Sequence, residues 1–102
     1  MKMYILIRDS IPLGFAMPAI GHGVSACQTK FQDTDNWKKW AEESFVKIVC
    51  KLNDKEFNRA KGYSEGVLMT ESELNGEETV LVFCPRPDDE WPKPFRFYRL
   101  YK

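Results

Sequence analysis

Five consecutive apolar residues, Met3-Tyr4-Ile5-Leu6-Ile7, stand between Lys2 and Arg8-Asp9. A run this short suits a strand rather than a helix, and it shows no alternation of polar and apolar positions. A strand that is apolar on both faces must be covered on both faces. It therefore belongs in the middle of a sheet with a layer packed on either side. The turn chemistry of Asp9-Ser10-Ile11-Pro12-Leu13-Gly14 follows directly.

The period then changes. Ile20, Val24, Cys27 and Phe31 fall at i, i+4, i+7 and i+11, one face of a helix expected over Ala16–Phe31. Pro18 suits the first turn of that helix, where its missing N–H costs nothing. Gly21 and Gly23 lie inside it, each costing about 1 kcal/mol relative to Ala. Two such residues call for close approach of a neighbouring element or a ligand. Asp33-Thr34-Asp35 offers N-caps for a second, short helix with Trp37, Trp40, Ala41 and Ser44 on one face.

Phe45–Leu52 (FVKIVCKL) reads as a strand, with Val46, Ile48, Cys50 and Leu52 pointing one way and Lys47 and Lys51 the other. Asn53 followed by Glu56 has the form of a capping box and predicts a third helix over about 54–63, ending near Gly62. Gly66–Thr70 and Thr79–Phe83 are two further strands around Asn75-Gly76, the pair that best suits a tight type I′ turn. The tip of this hairpin is acidic (Glu71, Glu73, Glu77, Glu78). Pro85, Pro87, Pro92 and Pro94 exclude a long helix beyond it. Phe95–Tyr101 (FRFYRLY) is either a final edge strand or a segment laid along the body. The expected fold is a three-layer α/β domain, a mixed sheet of about four strands flanked by helices.

With 102 residues, 43% of them hydrophobic, the chain is expected to form one domain spanning 1–102 around a packed core. Lys+Arg and Asp+Glu are both 15, so nucleic-acid binding would rest on a local patch. Cys27, Cys50 and Cys84 each sit in an apolar run, which predicts reduced, buried thiols and no disulfide framework. With a single His and no CxxC pair, neither a metal site nor a cofactor is indicated. Met1–Ile7 does not read as a signal peptide, and no run approaches a membrane span, so a soluble, cytoplasmic protein is expected.

Several segments carry a resemblance. Lys2–Asp9 (KMYILIRD), Gly14, Ala19–Ala26 (AIGHGVSA), Val46–Lys51, Thr79-Val80-Leu81, Pro85-x-Pro87 and the terminal Leu100-Tyr101 resemble the corresponding segments of the type 2 peptidyl-tRNA hydrolase family. The resemblance implies that fold over almost the whole chain, hydrolysis of the ester of peptidyl-tRNA, and tRNA as a partner. The chain also departs from the family. Anchored on His22, Phe15 occupies the position of the family's catalytic Lys, and Ala19 that of its helix Gln. The stretch Thr70–Glu78 lacks the family's Asp and Arg, leaving Glu71 as the stand-in acid. His22 and Thr79 match polar family positions.

Ester hydrolysis needs an oriented water, a base and donors for the developing oxyanion. His22 is the candidate base, Thr79, Ser25 or a backbone amide at the helix start the candidate donor, and Glu71 the acid, with Phe15 lining the site. Against this, a single His roughly opposite the apolar stripe is more often a packed or solvated residue than a catalytic one. The thiols of Cys27 and Cys50 are inert if buried. Trp37 and Trp40, at i and i+3, suit core or interface packing, and Trp91 is a possible stacking platform. Lys93, Arg96, Arg99 and Lys102, interleaved with Phe95, Phe97, Tyr98 and Tyr101, suit a surface that tracks a backbone and stacks bases. A charged edge strand gives the same pattern without a ligand. Two functions stay open: a divergent peptidyl-tRNA hydrolase, and a non-catalytic module on the same scaffold that recognises RNA, a small ligand or a protein partner. An unpaired edge strand or an exposed Trp pair would also suit a homodimer.

Overall fold

The computed structural model describes residues 1–102. Its strands are β1 (Met3–Arg8), β2 (Lys47–Leu52), β3 (Gly66–Glu71), β4 (Glu77–Phe83) and β5 (Arg99–Leu100). Its helices are α1 (Leu13–Phe31), α2 (Asp35–Glu43) and α3 (Asp54–Ala60). The sheet is mixed, in the order β3-β4-β1-β2-β5, with β1 and β2 parallel and the other pairs antiparallel. The central place expected for the Met3–Ile7 run holds: all five of its residues are buried.

Two cores follow from the pleat of that strand. Met3, Ile5 and Ile7 point to one face and pack with Val80 and Val82 against Ala16, Ala19 and Cys27 of α1 and Trp37 and Trp40 of α2. Tyr4 and Leu6 point to the other. They pack with Cys50, Leu52, Leu81 and Phe83 against Phe57 and Ala60 of α3 and against Phe95 and Tyr98 from the C-terminal segment. The result is a three-layer α/β domain in which a short 3-10 turn, Lys93–Phe97, fills out the α3 layer. No helix is long and apolar enough to cross a membrane.

Four expectations are corrected. The sheet has five strands, because the C-terminal segment splits into the 93–97 turn and a two-residue edge strand paired with Cys50 and Lys51. Helix α1 begins at Leu13, so Pro18 lies inside it. The burial of Ala16 and Ala19 favours helix here over the local preference of proline, and the carbonyl that Pro18 leaves without a partner belongs to the exposed Gly14. The buried stripe of α1 is Ala16, Ala19, Gly23 and Cys27, with Ile20, Val24 and Phe31 at its margins. Asn75 and Gly76 take the positive φ values expected of that pair (57° and 75°), but a 3-10 turn over Ser72–Leu74 precedes them, so the hairpin loop is longer than two residues.

The capping signals hold. Thr34 Oγ1 accepts from the Trp37 N–H, and at α3 Asn53 and Glu56 each accept from the other's backbone N–H. The thiols of Cys27, Cys50 and Cys84 are free and buried.

Candidate functional site

The three candidate catalytic groups each have a place, and no cavity gathers them. His22 is exposed on α1 and makes no side-chain hydrogen bond or ion pair. Thr79 is buried at an irregularity between β3 and β4: Met69 pairs with Val80 and Thr70 with Glu78, which leaves Thr79 as the extra residue of a bulge. Its hydroxyl donates to the Met69 carbonyl at 3.2 Å. That bond satisfies a main-chain acceptor and explains the residue without catalysis. Glu71 ends β3, and its carboxylate accepts from the Glu73 N–H, holding the Ser72–Leu74 turn.

Phe15 is half-buried and packs against the α1 core, so its ring is part of the packing rather than the lining of a groove. Ser25 is exposed on α1. The thiols are unsuited to nucleophilic attack: burial pushes Cys27 up to about 12 and Cys50 up to about 11, and raises Cys84 as well. Trp37 and Trp40 meet edge to face inside the core, with Trp40 Nε1 donating to the Val46 carbonyl. Their burial removes one of the two arguments for a homodimer. The other edge remains, since the outer side of β3 has no neighbouring strand.

The basic and aromatic C-terminal segment is where cavities form. Two grooves flank the 93–97 turn. The first, about 370 Å³, runs between α3 and the turn and is lined by Lys55, Glu56, Arg59, Lys93, Pro94, Phe97 and Tyr98. The second, about 400 Å³, lies over the start of β1, where Lys2 and Tyr4 face Asp88, Asp89, Trp91 and Arg96, and it shares Lys93 with the first. Both volumes fall in the lower part of the range of ligand sites.

Local structure explains how the sequence builds these grooves. The capping box fixes the start of α3, and Lys55 and Arg59, at i and i+4, then stand on one helix face. Pro92 and Pro94 stop the chain from continuing as a helix and turn it back over Tyr4. Phe95 and Tyr98 anchor the turn in the aromatic cluster that includes Tyr4, Tyr63, Phe83 and Trp91. Phe97, between the two anchors, is thereby pushed outward and is 68% exposed.

The electrostatics of the two grooves are unbalanced. None of Lys2, Lys55, Arg59, Lys93 and Arg96 is in an ion pair, whereas Arg8, Lys61, Arg86 and Arg99 all are. Two of the three carboxylates nearby are engaged: Glu56 accepts from the Asn53 N–H, and Asp88 lies 3.3 Å from the N-terminal ammonium. Of the basic residues singled out in the sequence, Lys93 and Arg96 line the grooves, and Arg99 instead pairs with Asp9 at 3.5 Å. Lys55 and Arg59 escaped the sequence reading. Their i, i+4 spacing after the capping box was the available signal, but nothing in the sequence said that the C-terminal turn would fold against that helix face.

No protein-family model matches the chain, and no curated protein matches its sequence.

Proposed function

We propose that this chain is a non-catalytic RNA-binding domain on a scaffold resembling the type 2 peptidyl-tRNA hydrolases, holding single-stranded RNA across the two grooves beside the 93–97 turn. The observation that carries this reading is the set of five cations free of ion pairs around the shared Lys93, next to the exposed ring of Phe97. Unpaired cations exchange counterions for phosphates at little cost, and an outward-facing ring offers a stacking surface to any base. Zero net charge over the whole chain makes the local excess the relevant quantity. The test is fluorescence anisotropy with labelled ten-nucleotide RNAs at low salt. Binding by the parent, weakened about tenfold or more in Lys93→Glu/Arg96→Glu, is expected. Absence of binding by the parent removes the proposal.

A second reading keeps the ester hydrolysis that the resemblance implies. The exposed, unengaged imidazole of His22 favours it. A peptidyl-tRNA hydrolysis assay on the parent and on His22→Ala decides: this reading requires activity in the first and its loss in the second. Equal activity in both, or none in either, eliminates it.

A further inference from the structure

The hydroxyl of Tyr98 is buried and has no hydrogen-bond partner within the chain. Tyr98 as a whole is 9% exposed, and the groove between α3 and the 93–97 turn is the one cavity it lines. A buried hydroxyl without a partner is costly, and most such groups are paired in folded proteins. Here the ring is held by Phe95 at a centroid distance of 5.3 Å. Lys55 and Arg59, which line the same groove, are exposed and make no side-chain hydrogen bond or ion pair, so no bond holds them in place.

We infer that the groove between α3 and the 93–97 turn is a pocket for one nucleotide, with the phosphate against Lys55, Arg59 and Lys93, the base against Phe97 and Pro94, and a polar edge of the base bonded to the Tyr98 hydroxyl. This rests on the RNA-binding reading above and assigns it a chemical unit. The lining has the two characters a nucleotide requires. Three cations sit at the rim against a single carboxylate, that of Glu56, which is already held by the Asn53 N–H. The rings of Phe97 and Tyr98 and the face of Pro94 supply the apolar part. A simple anion such as a sugar phosphate would leave those rings unused, and a neutral aromatic would leave the three cations unused.

Tyr98→Phe isolates the hydroxyl. It removes an unpaired polar atom and keeps the ring in the aromatic cluster, so the variant is expected to fold with equal or higher thermal stability. Binding of ten-nucleotide RNAs of each single base, and of the four free nucleoside 5′-monophosphates, is measured by titration for the parent, Tyr98→Phe and Lys55→Ala/Arg59→Ala. The parent is expected to discriminate among bases, and Tyr98→Phe to weaken the preferred RNA by roughly three- to tenfold and flatten the discrimination. Free monophosphates competing at concentrations similar to the RNA support the pocket and identify its occupant as a free nucleotide. Competition only at far higher concentrations supports it as a station along a strand. If RNA binds but both variants bind it as the parent does, the pocket is overturned while the RNA-binding reading survives on the other groove. If no RNA binds the parent, both fall together.

Discussion

Gly23 of α1 lies so close to Val82 of β4 that a Cβ built on it would stand 2.6 Å from Val82 Cγ2 and 3.2 Å from Val80 Cγ1. Both valines are buried and branched at Cβ, so neither swings away cheaply. Gly21, one half-turn away, faces open space. The two glycines therefore predict opposite outcomes. Gly23→Ala overpacks the helix–sheet contact and should cost about 1–3 kcal/mol in urea unfolding. Gly21→Ala should stabilise by roughly 0.5–1 kcal/mol, because it relieves only the entropic cost of glycine. Equal effects at the two sites would contradict the packing of α1.

The same pair shows how far the sequence carries. Composition and spacing asked that something approach both glycines, and the sheet approaches one. The central strand, the two-sided cover, the Thr34 and Asn53 caps and the left-handed Asn75-Gly76 pair were all legible, because each depends on a few adjacent residues. Interior Pro18 was not, because the gain from burying Ala16 and Ala19 appears only once the sheet is in place. Nor was the role of Thr79, since a bulge is a property of two strands together. The candidate site was half legible. Lys93 and Arg96 stood out by composition, but Lys55 and Arg59 join them only through the folding of residues 92–98 onto α3, a contact spanning some forty positions of sequence.

Asn53 links helix formation to that site. Its side chain accepts from the Glu56 N–H at 2.8 Å, and Glu56 returns a bond to the Asn53 N–H at 3.0 Å. A seven-residue helix has little stability of its own, so its start depends on this cap. Asn53→Ala should cost about 1 kcal/mol of global stability. It should also weaken RNA binding by loosening Lys55 and Arg59, whereas Thr34→Ala, at the N-cap of α2 on the opposite face of the sheet, should lower stability without changing binding. Urea melts and anisotropy on the two variants separate these effects.

Alkaline pH should destabilise the domain. Burial raises the thiols of Cys27 and Cys50 from 9.0 to about 12 and about 11, and Tyr98 from 10.0 to about 12. In each case the neutral form is the one that folds. Below pH 9 folded and unfolded chains both hold these protons, and stability is at its full value. As pH rises through 9 to 11 the unfolded chain releases protons that the folded chain keeps, so stability falls with pH over that window. Urea midpoints measured from pH 8 to pH 10.5 should decline, and Cys50→Ala, whatever it costs by leaving a smaller side chain, should make the decline shallower. A flat profile in the parent would mean that the thiols are not buried as described.

Salt gives the most direct measure of how many of the five cations a bound strand engages. For single strands, log K falls with log salt at a slope of about −0.7 per phosphate neutralised. Engagement of all five predicts a slope of about −3.5 between low and moderate salt. Lys55→Ala/Arg59→Ala removes two of them and should bring the slope to about −2, while Arg99→Ala, whose guanidinium is already committed to Asp9, should leave it unchanged. The same slope in all three proteins would show that the strand lies elsewhere on the surface. A change with Arg99→Ala alone would move the contact to the β5 edge, where the sheet rather than the grooves would carry it.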